Sequence, residues 1–465
     1  MNYNSVKSII SSAAFTGGLL FLSALAAFIW ANVSPETYTW FWSEPHTLNI
    51  GTHMEKVLEN GVEVDKVSYF MSISIRSLQL VVNDLLMVIF FFSVGVEIKR
   101  ELIAGKLSSF KKAILPIGAA LGGMIVPALI YYTFDHEGLA SRGWGIPMAT
   151  DIAFSLAVIS LLSRRVPLSL KIFLMALAVA DDLGAISVIA FFYTDHLNIQ
   201  ALLIGLAGVL LLFIANRAKV HSKGFYYIVG VVLVWSQFLE SGVHATIAGI
   251  LTGFAFPSNV GMSPSDYVDK AQKLLDKLKK HEDDKIIKGV PSEEVAHVYT
   301  KLKALTYKAE NPMMAAEHSM APYIALVIMP IFALANAGVI LGDMSFMQAV
   351  GTPVAMGVGL GLLFGKPIGI FLVTFLFVKL GIGKLPDGVK WKQILGMGFI
   401  AGMGFTMSIF VTELAFRTND LSLMQMASDY MNEAKLAILL ASFVAAVCGY
   451  VFLMMCSGKK HGEEC

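Results

Sequence analysis

The sequence predicts an all-α polytopic membrane protein with about 12 transmembrane helices. Three observations carry that prediction. The chain is 56% hydrophobic and only 15% charged, whereas soluble domains carry about 25% charged residues. Its mean hydropathy is +0.68. Apolar segments of spanning length, roughly 20 residues at about 1.5 Å rise each, recur along the chain. The net charge of +1 says nothing about partners, and no basic tract points to nucleic acid.

The apolar segments fall near 12–32, 79–96, 113–133, 146–162, 172–193, 199–215, 225–239, 242–256, 322–341, 352–378, 394–412 and 434–456. Lys7 precedes an apolar stretch from Ile9 to Trp30. That stretch exceeds the roughly 7–15-residue core of a signal peptide, so it reads as an uncleaved first span. Basic residues alternate between loops. Lys99, Arg100, Lys106, Lys111 and Lys112 follow the second segment. Arg164, Arg165 and Lys171 follow the fourth, Arg217, Lys219 and Lys223 the sixth, and Lys379, Lys384, Lys390 and Lys392 the tenth. The other loops are nearly free of them, Arg142 and Arg417 excepted. This bias places the basic loops and both termini in the cytoplasm. Trp30, Trp144 and Trp391 mark span ends. Cys448, Cys456 and Cys465 have no metal-site spacing.

The expected organisation is therefore residues 1–256 with eight spans, an insert at 257–316, and residues 317–465 with four spans and a short cytoplasmic tail. Two polar stretches stand apart. Residues 34–78 form an external loop, where Asn60-Gly61 flanked by Val62, Val64 and Val67 suggests a short hairpin. In the cytoplasmic insert, Val268, Ala271, Leu274, Leu275 and Leu278 mark one face of an amphipathic helix. Lys270, Lys273, Lys277, Lys279 and Lys280 surround that face.

The chemistry is concentrated in the apolar segments. Asp181 and Asp182 lie inside the run from Ile172 to Tyr193. A carboxylate near a bilayer centre costs about 2.5–3.5 kcal/mol on insertion scales, so two in succession point to an ion or proton pathway. Adjacent residues are about 100° apart on a helix, so one can face a cavity and the other a neighbouring span. A carboxylate is a hard oxygen ligand for a small cation and also takes up protons, so the two compete. A structural hydrogen-bonded pair is the plainer alternative. Thr150 and Asp151 follow Gly145 and Pro147, which weaken helix continuity. Either the helix breaks there, with Asp151 facing positive half-helix ends, or it is continuous and Asp151 sits near the interface. Lys366 lies inside the tenth segment. It pairs with an aspartate or snorkels to the interface. Its Gly-Lys-Pro setting is no phosphate loop, because Pro367 stands where Ser or Thr is required. Gly402-Met-Gly-Phe-Thr-Met-Ser408, containing Thr406, reads as a second interruption or as small-residue packing. Asn83 and Asp84 line an access funnel or sit at the outer interface. Glu97, Arg100 and Glu101 form a charged cluster. His244 and the pair Glu317-His318 are structural or respond to pH near neutrality.

Together these motifs resemble the NhaA-type sodium/proton antiporters. The resemblance rests on Ala149-Thr-Asp151, Ala178-Val-Ala-Asp-Asp-Leu-Gly184, Phe332-Ala-Leu-Ala-Asn-Ala-Gly338, Gly365-Lys-Pro367 and Gly404-Phe-Thr-Met-Ser-Ile-Phe410, in the family's order over nearly the whole chain. It implies inverted-topology repeats, spans three to five and ten to twelve, and two interrupted crossing helices, for which NhaA-type antiporters are themselves a type case. It implies Asp182 as the main Na+-binding carboxylate and proton carrier. Asp181 would pair with Lys366 and exchange protons, and Thr150 would join the Na+ site. Asp151, Thr150 and Thr406 would support the helix crossing. Asp84 matches the access funnel, and Glu97, His244, Glu317 and His318 match positions tied to pH response. It further implies a homodimer held through the external loop, in a bacterial inner membrane, with no cofactor and no enzymatic activity. The chain departs from the pattern in its long insert and long external loop. Ala321 also stands where the family often has a second histidine.

The expected function is electrogenic export of Na+ (Li+) against H+, pH-regulated and by alternating access. The nearest rivals are a K+/H+ exchanger and a Na+-driven symporter. An intramembrane aspartyl protease is the rival of another class. It would need Asp151 and Asp182 to share a proton, and the chain lacks a Gly-Leu-Gly-Asp type of signature.

Overall fold

The computed structural model describes residues 13–59, 62–75, 77–162, 165–194, 197–220, 222–281, 291–341, 346–418 and 420–457. Lys7, Asn60-Gly61, Arg164 and Cys465 lie outside them. Among the described residues, ten helices are long and apolar enough to cross a membrane. An eleventh span is the bent pair Trp391–Ala401 and Phe405–Ala415, which meet at 49°. The segment expected at 242–256 forms only the helix Ala245–Ala255, 11 residues long. At about 1.5 Å per residue this is roughly half the hydrocarbon thickness. Pro257 explains its end, because the residue before a proline is driven out of the helical region, and Phe256 is extended (φ −60°, ψ 142°). The chain is a multi-pass membrane protein.

The chain forms two compact units. One gathers residues 1–90, 101–195 and 323–465, and the other 91–100 and 196–322. The core of the first is built by Leu115, Leu170, Leu174, Ile370, Ile394, Ile400 and Leu453, all buried. Ile125 and Leu129 face outward, as a bilayer allows and water would not. Apolar surface gains little from helix association in lipid, so close packing must hold the helices together. The helices Phe110–Phe134 and Pro353–Lys379 achieve this through glycines. A Cβ on Gly122 would lie 2.3 Å from the Gly369 carbonyl oxygen, and one on Gly369 would lie 2.1 Å from that of Gly122.

Among the described residues, four helices carry one widened turn each, at Val82–Leu86, Gly230–Trp235, Ile324–Ile328 and Gly361–Gly365. In the last, the Lys366 amide donates to Gly361, five residues back. Pro367 follows, with no N–H to continue the ordinary ladder. Met329 and Pro330 repeat the device after Ile324–Ile328. The sequence marks the wide turn, and the wide turn sets where Lys366 points.

The loop expected at 34–78 carries a hairpin of two strands, His46–Glu59 and Val62–Ile75. They pair antiparallel from His46 opposite Ile75 to Glu59 opposite Val62. With 14 residues each, the strands are long rather than short.

In the second unit, Phe92, Val96, Leu212, Val234, Phe238, Phe256 and Met313 form the core. The insert folds as the helices Pro264–Lys280 and Glu293–Ala309. Tyr267 and Thr306 join them by a hydroxyl–hydroxyl hydrogen bond of 3.1 Å. Ala271, Leu274 and Leu278 are half-buried, but Val268 and Leu275 are exposed. The apolar face is thus narrower than its sequence pattern.

Replacing Gly369 by alanine tests the close approach. A helical Gly→Ala change ordinarily stabilises by up to about 1 kcal/mol. Here the clash is with a backbone oxygen that cannot rotate away. The expected outcome is a net loss of about 1–3 kcal/mol, read as a lower Tm in detergent. An unchanged or raised Tm would refute the packing argument.

Candidate functional site

Two helix breaks meet in the first unit. The first separates Ala140–Met148 from Ile152–Leu161, with Ala149 and Asp151 extended. The second separates Trp391–Ala401 from Phe405–Ala415. A Cβ on Gly404 would stand 2.8 Å from the Ala149 carbonyl oxygen, so the crossing excludes a side chain there.

Each break satisfies the other's loose backbone groups. The Asp151 amide donates to the Met403 carbonyl at 2.7 Å. Ser155 Oγ donates to the Ile400 carbonyl at 3.0 Å, and Ser408 Oγ to the Ile146 carbonyl at 2.8 Å. Asp151 caps both helix N-termini. Its Oδ1 accepts from the Phe154 amide at 3.0 Å. Its Oδ2 accepts from the Thr406 amide at 3.1 Å and the Thr406 hydroxyl at 2.5 Å. A carboxylate at a helix start both fills open amides and opposes the dipole's positive end. One aspartate does this for two helices at once. Of the alternatives the sequence left open, the structure selects the broken helix with Asp151 inside, 1% exposed.

Beside the crossing lies a charged cluster. Asp181 and Asp182 come from the unbroken helix Leu168–Phe192, and both are buried. Lys366, fully buried, enters from Pro353–Lys379. Its Nζ donates to Asp181 Oδ2 at 2.5 Å and to the Thr150 hydroxyl. Thr150 Oγ1 lies 2.5 Å from Asp181 Oδ2 and 3.0 Å from the Ala401 carbonyl oxygen, so its one proton serves either acceptor. Lys366 therefore pairs rather than snorkels. Asp182 also lies within electrostatic range of Lys366. Asp181 Oδ1 is buried with no hydrogen-bond partner among the described residues.

A second polar group occupies the same unit. Asn83 and Asn336 exchange amide hydrogen bonds of 2.8 and 3.0 Å. Gln79 Nε2 donates to Asn336 Oδ1 at 3.1 Å and to Glu413 Oε1 at 3.2 Å. Glu413 in turn pairs with Lys435 at 2.5 Å. Sequence reasoning missed Ser155, Gln79, Glu413 and Lys435. Glu413 and Lys435 carried the signal that singled out Lys366, a charge at or within an apolar segment. Ser155 carried none, since a serine in a helix is ordinary.

The remaining predicted residues fall elsewhere. Asp84 is half-buried and lies within electrostatic range of Arg417. Glu97, His244, Glu317 and His318 belong to the second unit. There Arg100 donates to Glu317 at 2.5 Å, His244 precedes Ala245–Ala255, and His318 is exposed.

The fold and the buried charges define a multi-pass membrane protein that holds an ionisable cluster inside its first unit. The sequence matches the family described as Na+/H+ antiporter 1 over residues 7–453, and the chain belongs to that family. It is 43% identical to the Na+/H+ antiporter NhaA 1 of Psychromonas ingrahamii, covering 94% of each chain. It is 42% identical to the NhaA of Oleidesulfovibrio alaskensis, covering 97% of this chain and 94% of the relative. It is 41% identical to the NhaA of Helicobacter acinonychis, covering 98% and 96%.

The buried pair makes a prediction. Lys366→Ala strands the Asp181 carboxylate and should cost about 3–5 kcal/mol. Asp181→Asn added to it should recover most of that loss. Thermal unfolding of the two single variants and the double variant in detergent measures the coupling. Simple additivity would show that the two residues do not act as a pair.

Proposed function

We propose that this chain exports Na+ (and Li+) in exchange for H+ across a bacterial inner membrane, with Asp182 and Asp181 as the carboxylates for which the ions compete. One observation carries the reading. The buried cluster holds two carboxylates and one ammonium, Asp181, Asp182 and Lys366. With all three ionised, its formal charge is −1. A bound Na+ or a bound proton neutralises it equally well, so occupancy by one opposes occupancy by the other.

The steps follow from that competition. On the cytoplasmic side the site gives up protons, and Na+ binds Asp182 with oxygen ligands from Asp181 and Thr150. On the outer side protons return to the carboxylates, or to Lys366 where it has been deprotonated, and Na+ leaves. The half-helices around Asp151 and Thr406 move against the rest and open the site to one side at a time. The reciprocal bonds of Ser155 and Ser408 support an inverted-repeat origin for the two broken helices. More than one proton enters per Na+ exported, so net charge moves, at about 2.3 kcal/mol per charge per 100 mV. Asp84 lines the access path. Glu97, His244, Glu317 and His318 set the pH response. The hairpin joins two copies in a dimer, and both termini are cytoplasmic.

Dissipation of ΔpH in everted vesicles tests the exchange. Na+ and Li+, but not K+, should dissipate it, and Asp182→Asn should abolish the response while the protein still inserts. Full exchange by that variant would remove Asp182 from the mechanism. In proteoliposomes, an imposed membrane potential should accelerate Na+ movement in the direction that compensates the net charge. Potential-independent exchange would make the process electroneutral.

A further inference from the structure

A cleft of about 680 Å³ opens in the first unit, away from the buried cluster. The starts of the helices Phe110–Phe134 and Leu168–Phe192 and the loop 381–387 line it. Its two surfaces differ in chemistry. Lys111, Lys112 and Lys384 are exposed. Among the described residues, none of the three pairs with a carboxylate. Ile172, Ile382 and Leu385 form the accessible apolar wall, whereas Leu115 and Phe173 are buried in the core.

Two further observations bear on the occupant. The helix Phe110–Phe134 has no side-chain cap on its first amides and no acidic residue in its first turn. Its positive end therefore adds to the three lysines. The loop is held in place, since Ser169 Oγ donates to the Asp387 carbonyl at 2.6 Å. Asp387 is the single carboxylate on the lining. The cleft also lies at the ends of spans, where Trp391 packs on Phe371 and Phe375 as an interfacial aromatic does.

We propose that this cleft binds an anionic phospholipid, its phosphate held by Lys111, Lys112 and Lys384 and its acyl chain laid on the Ile172, Ile382 and Leu385 wall. Basic pockets between helices at a membrane face take such headgroups. A soluble phosphate would satisfy the lysines but leave the apolar wall unused. The lipid bridges the Phe110–Phe134 helix to the loop that connects the Lys366 helix to the second broken helix.

The test uses the purified full-length protein in detergent, with cardiolipin, phosphatidylglycerol, phosphatidylcholine and glycerol 3-phosphate as probes. Native mass spectrometry reads lipid retention, and thermal unfolding reads stabilisation. Cardiolipin and phosphatidylglycerol should be retained and raise Tm, whereas phosphatidylcholine and glycerol 3-phosphate should not. Lys111→Gln/Lys112→Gln/Lys384→Gln should weaken retention by about tenfold or more. The matching lysine-to-arginine variant should retain binding. Lys270→Gln/Lys273→Gln/Lys277→Gln, on the exposed insert helix, should bind like wild type. Wild-type retention by the first glutamine variant would overturn the proposal. So would equal stabilisation by glycerol 3-phosphate, or an equal loss in the insert variant.

Discussion

Backbone groups released by a broken helix have no water to turn to at membrane depth, and each one left unpaired costs several kcal/mol. That constraint organises the first unit. The carbonyls of Ile400, Ala401 and Met403 and the amide of Thr406 find partners across the crossing, and the Phe154 amide is capped by Asp151 at the start of its own half-helix. Neither break is satisfied alone. The two half-helix pairs form one object, and any movement of one must carry or rearrange the other.

Charge follows the same logic. Asp151 meets two helix N-termini, so its negative charge opposes two positive dipole ends. Lys366 lies near the Ala401 end through Thr150 and holds Asp181 directly. Thr150 is the hinge between these systems. Its hydroxyl touches the ammonium, the carboxylate and a half-helix carbonyl, so the buried charge pair and the geometry at the break share one side chain.

The Phe332–Gly338 motif has a different explanation. Asn336 binds Asn83 and Gln79, and Tyr38 closes over Gly338, where a Cβ would meet its ring at 2.2 Å. The Tyr38 hydroxyl donates to the carbonyls of Leu334 and Ala335 at the end of the helix Met329–Asn336. The motif terminates a helix and anchors a polar network that reaches Glu413 and Lys435.

The sequence by itself determined the membrane class, most spans, and the residues that carry charge where lipid would reject it. Composition and single-residue cost scales suffice for those, because each depends on one segment at a time. It also marked the breaks, through Gly145, Pro147, Gly402 and Gly404. Only the tertiary structure decided that Asp151 caps two helices, that Lys366 pairs with Asp181, and that Ser155 and Glu413 belong to polar networks. Those outcomes depend on which residues face each other across separate helices. A segment's own pattern holds no record of its partner, and a serine or glutamate gains its role only when a distant carbonyl or lysine is brought within hydrogen-bond reach.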